Sequence, residues 1–551
     1  MKILNLLCLF LLCAGSGFGA DWYISPTGND TTGDGSESTP YKTFGKAYSL
    51  MADTDTCYVA DGAYTEDDGA YAYLSMGSDK TVTFEGSSQD KSLVTYNGPA
   101  SGSYHIRLAA GMLLKTATFK YMTITASAAN TYAFFIDTNS TTVGPKLVVD
   151  NCTISTGKTN GSLLYVEDST DGSEVTDITI SNSTITSNGT GVCLWTESID
   201  NVTLDTCVIT SGTNPVIKVT ADLGSIDVKD CTIDDSGVSV EYVVQTSAVD
   251  AAIDYIRFTG NTCALGMRGV IVDEFADTAI IEDNTMTITN NATASHCFMI
   301  GNDSQTTTNP IANCSIQNNT ITYAGTHTGH AVLVGGNVNN AEVSYNKIIG
   351  TGLATDNAFG IVLKGNGNNV HHNTVKARVP LIIKGSLYNK VFNNTFLCTG
   401  ATGSRALELL DDTDTTKGNY FCNNIFDGSG GLYAVYYQNN AANNNRFEYN
   451  CYVLGATSMF YDGAANRASV AAMQTNLWAS AALLWTDNGT GSVESSPRFM
   501  DASINDYRLA SSSPCINTGK QTISSGYTDI GEWQRKSEVS GRFYRGRYDP
   551  N

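Results

Sequence analysis

The sequence predicts an all-β protein, a single-stranded parallel β-solenoid of about a dozen coils with a cap at each end. Three observations carry this. A six-residue motif recurs along the chain at intervals of 21 to 35 residues. Gly, Asn, Thr and Ser are abundant, and long amphipathic helical patterns are nearly absent, which is the composition of a turn-rich β protein. Only 10 prolines occur in 551 residues, and no Ser/Pro or Gly/Ser linker divides the chain into separate domains.

The motif is an apolar residue, one variable residue, two often polar ones, one more, then usually an apolar one. Its copies are FKYMTI (119–124, degenerate), VDNCTI (149–154), ISNSTI (180–185), LDTCVI (204–209), VKDCTI (228–233), FTGNTC (258–263) and IEDNTM (281–286). They continue as IQNNTI (316–321), VSYNKI (343–348), VHHNTV (370–375), VFNNTF (391–396), FCNNIF (421–426) and FEYNCY (447–452). The period is too short for a propeller blade. A solenoid tolerates the variation, because extra residues leave each coil as loops. A second apolar column accompanies the motif: FFID (134–137), LYVED (164–168), VVQT (243–246), VIVDE (270–274), FMIGN (298–302), VLVGG (332–336), IVLKG (361–365) and LELLD (407–411) among others. Both columns read as parallel strands of successive coils, stacked about 4.8 Å apart.

The fourth motif position is Cys152, Ser183, Cys207 and Cys231, and then Asn261, Asn284, Asn319, Asn346, Asn373, Asn394, Asn424 and Asn450. Side-chain amides stacked in one turn can satisfy each other and the turn backbone, so this asparagine ladder is read as structural rather than catalytic. The cysteines of the column are expected to be small buried groups, unbridged; a Cys207–Cys231 bridge is the alternative.

The remaining elements follow in order. Residues 1–20, MKILNLLCLFLLCAGSGFGA, have one Lys, an apolar run and small residues, the pattern of a signal peptide. The protein is therefore expected to be exported: secreted, or periplasmic in a Gram-negative source. Disulfides are the general expectation there, and the repeat overrides it. Residues 21–115 are read as the N-terminal cap and first coils. Phe44, Ala47, Tyr48 and Met51 stand at helical spacing, which predicts a short helix over the open end of the core. The solenoid proper is read as 116–455. Residues 456–534 form a closing segment, in which 469–478 could cover the other end. The last stretch, 535–551, is a basic tail with Arg535, Lys536, Arg542, Arg545 and Arg547.

The formal charge of −22 disfavours nucleic acid as a partner, because phosphate contacts need a basic surface, and none is expected. No later stretch is long and apolar enough to span a bilayer. The protein is expected to be a monomer.

The opening "DWYISPTGNDTTGDGSESTPYKTFGKAYSL" (21–50), followed by "DTCYVADGAYTE" (55–66), resembles the start of secreted right-handed parallel β-helix proteins of the pectate-lyase-like superfamily. Polysaccharide lyase family nine and its uncharacterised relatives begin this way. The tail "SSPRFMDASINDYRLASSSPCINTGK" (495–520) with "DIGEWQ" (529–534) is similar to the closing segment of such proteins. The resemblance spans nearly the whole chain and implies a right-handed helix. Its implication for activity is weaker, because one scaffold hosts lyases, hydrolases, epimerases and binding proteins.

Against the acidic background stands a basic island. Between Asp356 and Glu408 there is no acid, and Lys364, Lys376, Arg378, Lys384, Lys390 and Arg405 fall there, with His371 and His372. His327 and His330 come just before. An apolar triplet followed by Lys-Gly occurs at Lys364 and again at Lys384. Coil stacking would set these lysines about 4.8 Å apart. Ammonium groups that close repel, which favours the neutral amine, and a neutral lysine can serve as a base. Gly335, Gly336, Gly365 and Gly385 would leave room for sugar rings.

The resemblance implies chemistry that fits: β-elimination on a uronic-acid-containing, anionic polysaccharide, with a lysine base and a calcium ion held by aspartates. Lys364 is the first choice for the base. Lys384 is the second choice, or a carboxylate clamp, and Arg378 can grip a carboxylate with two bonds. His330, His371, Lys376 and Arg405 are candidate substrate contacts. The family's aspartates precede its lysine, whereas here Gly335, Gly336 and Asn337 precede, with Asp273, Glu274 and Asp303 farther back. Asp411, Asp412 and Asp414 follow instead and are the candidate Ca2+ ligands.

Two other readings compete. "TGHAVLVGG" (328–336) and "ARVPLIIKG" (377–385) are distantly similar to motifs of polygalacturonase-like hydrolases, but the paired aspartates are missing; Glu408 with Asp411 or Asp412 would have to serve. A non-catalytic carbohydrate-binding rod or adhesin is the main rival. Tyr433, Tyr436, Tyr437, Tyr449 and Tyr452 cluster in the last coils. Exposed, they would stack on sugars; buried, they would close the core. The bland reading of the island itself is a solvated basic face.

Overall fold

The computed structural model describes residues 19–520 apart from 67–72, 110–114, 138–143, 160, 168–176, 189–190, 197–198, 213–214, 221–222, 236–241, 247–252, 267, 273–275, 289–295, 302–310, 312, 324–327, 351–356, 411–415, 439–444, 477–488 and 517. Residues 1–18 of the expected signal peptide and the whole basic tail lie outside the described residues. The chain forms two compact units, Met1–Ile209 and Thr210–Asn551.

Each unit is a parallel β-helix of three sheets. A coil gives one strand to the first sheet, turns, gives one to the second, bends, and gives one to the third. In the first unit such a coil is Lys146–Asp150, Thr153–Thr156 and Ser162–Glu167. In the second it is Asn369–His371, Thr374–Ala377 and Val379–Lys384. Parallel pairing begins with Asp21–Ile24 beside Asp55–Val59.

The repeat register is the one read from the motif. In the first unit Phe119 pairs with Val149, Val149 with Ile180, and Ile180 with Leu204. In the second, Val228, Phe258, Ile281, Ile316, Val343, Val370, Val391, Phe421 and Phe447 pair in sequence. These residues point inward and are buried. A single coil has no second layer against which to cover them; its stacked neighbours supply it.

The third motif position makes the turn. Asn151, Asn182, Thr206, Asp230, Asp283, Asn318, Tyr345, His372, Asn393, Asn423 and Tyr449 all have φ between 51° and 59°, and Gly260 has 69°. Asn, Asp and Gly enter this left-handed region most readily, which explains their frequency there. The fourth-position asparagines of the second unit are wholly buried and joined by hydrogen bonds. The Nδ2 of each donates to the Oδ1 of the next, at 2.9–3.1 Å from Asn261 to Asn450. Each Oδ1 also accepts from the backbone N–H of the preceding copy, as in Asn346 N to Asn373 Oδ1 at 2.9 Å.

A second run of asparagines, not read from the sequence, lines the turn into the first sheet. Asn368 donates to Asn389 at 2.9 Å, Asn389 to Asn419 at 2.8 Å and Asn419 to Asn445 at 3.0 Å. Each lies five residues before a motif asparagine.

Helix α1 (Phe44–Leu50) forms as its apolar spacing predicts, with Thr43 as N-cap. Its Phe44 ring stacks on Tyr96 at 4.0 Å. The buried Glu66 carboxylate accepts from Phe44 N at 2.9 Å and Tyr96 Oη at 3.2 Å, so the helix is pinned by polar contacts as well as rings. In the second unit, α2 (Val470–Thr475) buries Val470 and Met473. The closing segment then lies along the second sheet, where Tyr507 packs with Ile349 and Leu397. Lys520 reaches buried Glu448 at 2.5 Å.

All twelve cysteines of the described residues are buried and unbridged. Cys152 Sγ donates to Asp150 O at 3.4 Å, Cys207 Sγ to Ile180 O at 3.3 Å and Cys231 Sγ to Lys229 O at 3.2 Å. Each thiol finds an acceptor in its own turn column, which suits an unbridged cysteine. No helix of the described residues is long and apolar enough to cross a membrane.

Candidate functional site

The site is built on the outer face of the third sheet in the second unit. Along each strand, alternate residues point inward, so the residues between them form outward columns. One column runs Met299, Leu333, Val362, Ile382, Glu408, Tyr436 and Tyr461, each paired with the next, and its members from Leu333 to Glu408 are buried. Two residues along lies the column that matters most. Leu363 pairs with Ile383, so Lys364 and Lys384 come level on adjacent coils. Lys384 is level with Leu410 on the next coil. Gly335 holds the same place one coil before Lys364, because Val334 pairs with Leu363. Both lysines are partly exposed.

A third column lies at the other margin of the sheet. His296 and His330 stack with ring centroids 4.8 Å apart, and His330 stacks on Phe359 at 5.4 Å. Their Nδ1 atoms are 3.0 Å apart, so one ring donates and the other accepts. Burial holds His330 down at about 4. Burial first, then the charges of His330, Arg268 and Lys364, hold His296 at about 3. At neutral pH both are uncharged, and Lys364 lies within electrostatic reach of His296. His296 and Arg268 are additions to the sequence reading. The repeated strings HCFMIG (296–301) and HAVLVG (330–335) were the available signal.

The other candidates are distributed by the winding of the chain. Arg378 stands at the corner leading into Val379–Lys384, donates to Thr402 O at 3.1 Å and lies 5.9 Å from the Phe359 ring. Arg405 lies on the third sheet, ion-paired with the buried Glu408, its guanidinium 4.5 Å over the Tyr436 ring. His371 is on the first sheet, its side chain 2% exposed, paired with Glu342 and 2.9 Å from His372 Nδ1. Lys376 is on the second sheet, level with Ile349 and Leu397. Lys364, Lys384, His330 and Arg405 therefore share a sheet, Arg378 borders it, and His371 and Lys376 are on other faces. Asp411, Asp412 and Asp414 lie outside the described residues, as do Asp273, Glu274 and Asp303. Among the described residues no group of three or more His, Cys, Asp or Glu side chains converges as a metal site.

The tyrosines divide. Tyr437 and Tyr452 are core residues. Tyr449 packs beside Phe392, Tyr420 and Cys422. Tyr433 and Tyr436 are partly exposed and meet Tyr461, which stacks on Tyr436 at 4.9 Å. Tyr433 Oη bonds Asn466 at 3.0 Å.

A cavity lies elsewhere, between the second sheet and the closing hairpin. Its volume is about 170 Å³, and Lys347, Asn505, Asp506 and Arg508 line it.

Residues 114–249 match the right handed beta helix region family. That is the fold expected from the sequence and formed by the strands. Solved structures with a similar chain path include a rhamnogalacturonan lyase, at 10% identity and TM-score 0.32, covering 55% of this chain and 82% of that one. A PL6 family polysaccharide lyase from Pseudopedobacter saltans has 13% identity and TM-score 0.29, covering 76% and 91%. Pectate lyase Pel9A has 14% identity and TM-score 0.18, covering 93% and 95%. Likeness this low transfers neither substrate nor mechanism. No curated protein matches the chain by sequence.

Proposed function

We propose that the protein is an exported, carbohydrate-active β-helix that cleaves an anionic, uronic-acid-containing polysaccharide by β-elimination. The observation that carries this reading is the register that sets the partly exposed Lys364 level with the partly exposed Lys384 on the third sheet. Elimination needs a base at the carbon next to the uronate carboxylate and a cation on the carboxylate itself. Lys364, as the neutral amine, takes that proton. The C–H electron pair forms the ring double bond, the glycosidic C–O bond breaks, and the departing oxygen is protonated from solvent. Lys384, as ammonium, pairs with the carboxylate while charge builds on it.

Glu408, the acid a hydrolase would need, is held by Arg405 and almost wholly buried, which favours the lyase over the hydrolase. The calcium expectation remains a proposal tied to Asp411, Asp412 and Asp414, and the step above uses only lysine side chains. The test is incubation with a panel of uronate polymers, reading ultraviolet absorbance of the unsaturated product. A rise with one polymer supports elimination; no rise with any removes it.

A second reading has its own observation. Arg405, Tyr436 and Tyr461 form a continuous stack with Tyr433 beside it, a surface suited to gripping sugar without cleaving it. Binding of a uronate polymer without product would select this reading.

A further inference from the structure

The first unit carries an aromatic stripe that the proposed lyase chemistry does not use. On the outer face of its third sheet, Phe135 pairs with Tyr165 and Tyr165 with Trp195. The rings follow one another at 5.8 Å and 5.3 Å. Tyr132 stacks on Tyr165 at 4.9 Å and 15°, and Tyr104 meets Phe135 at 4.3 Å. Tyr104, Tyr132, Tyr165 and Trp195 are partly exposed. The opposite parity, Phe134, Ile136, Leu164 and Val166, fills the core, so the stripe is additional to what the fold needs.

We propose that this stripe binds an extended, neutral polysaccharide chain lying along the coil axis. The spacing fits, because one coil rises about 4.8 Å, close to the length of one pyranose in an extended chain. The chemistry fits, because Tyr and Trp join an apolar ring to a polar tip, as a sugar joins C–H faces to hydroxyls. The charge fits a neutral polymer. Beside the rings stand Arg107, ion-paired with Asp137, and Glu167, level with Asp137. Lys158 at the margin donates to Thr131 at 2.8 Å. Among the described residues beside the rings, two cations and two carboxylates cancel, so these side chains offer a polyanion no net attraction, unlike the lysine column of the second unit.

The test is calorimetric titration of the whole protein with a soluble neutral β-glucan, a neutral xylan and, in parallel, polygalacturonate. Wild type is expected to bind a neutral polymer, with affinity at least tenfold weaker in Trp195→Ala and Tyr165→Ala and largely retained in Trp195→Phe. Circular dichroism and the melting temperature check that each variant folds, and Trp195→Phe keeps the test valid should the alanine variants not. Failure of wild type to bind either neutral polymer overturns the proposal. So does loss of polygalacturonate binding alone in Trp195→Ala, which would assign the stripe to polyanions. A wild-type dimer that dissociates in Trp195→Ala, with no glycan bound, would assign it to a second copy of the chain. None of these readouts depends on cleavage, so the stripe and the lysine site stand or fall separately.

Discussion

Asn346 donates twice to Asn373 Oδ1, from its backbone N and from its Nδ2, both at 2.9 Å, and both residues are wholly buried. Removing the Asn373 amide strands two donors away from water. Asn373→Ala is expected to destabilise the second unit by about 2–5 kcal/mol, the cost of unsatisfied buried donors plus a small cavity. Exposed Asn313→Ala should stay within about 0.5 kcal/mol of wild type. Urea unfolding of both variants checks this, and equal midpoints would show that the asparagine run contributes little.

The cysteines give a second expectation. Burial pushes the Cys152 and Cys314 thiols up to about 12, so neither forms a thiolate at neutral pH. A thiol reagent should find almost nothing in the folded protein. After unfolding without reductant it should titrate the cysteines from Cys57 to Cys515 as free thiols. A deficit of two or more would place a disulfide where the structure has none.

The histidine pair sets a pH dependence. In the unfolded chain His330 titrates near 6.5, and in the fold burial lowers it to about 4. Below pH 6.5 the unfolded state therefore binds a proton that the folded state refuses. The stabilisation from the neutral imidazole is fully present above 6.5 and is lost as pH falls toward 4. The whole loss is about 3 kcal/mol. His330→Phe, shaped to stack on Phe359, should lose less stability than wild type between pH 7 and 4.5. Parallel melting curves across that range would contradict the assignment.

The fold was legible because its signals are local and repeat. Val343, Val370 and Val391 share a motif position, and that position is the register. The Asn368, Asn389, Asn419 and Asn445 run stands five residues before each motif asparagine, but in turns whose composition varies more, so no repeated string marks it. The Lys364–Lys384 pairing was legible because each closes an apolar triplet before Lys-Gly. The basic island as a single patch was not. A stretch from Asp356 to Glu408 winds through all three sheets, so charges contiguous in sequence are dealt to different faces: His371 to the first, Lys376 to the second, Lys384 to the third. The His296–His330 stack needed coil lengths that motif spacing alone does not supply, because loop residues lie between the strands.

The lysines are expected to divide the work. Lys384→Ala should keep measurable elimination but weaken binding of the anionic polymer, most visibly at low salt, where charge attraction is least screened. Equal binding by wild type and variant at low salt would remove the carboxylate-pairing role.

The most direct test of the central claim is Lys364→Ala, assayed on whichever uronate polymer wild type cleaves. The account predicts loss of the unsaturated product by at least a hundredfold, with the melting temperature nearly unchanged, since a partly exposed lysine contributes little stability. Cleavage at the wild-type rate by a folded Lys364→Ala variant would contradict it.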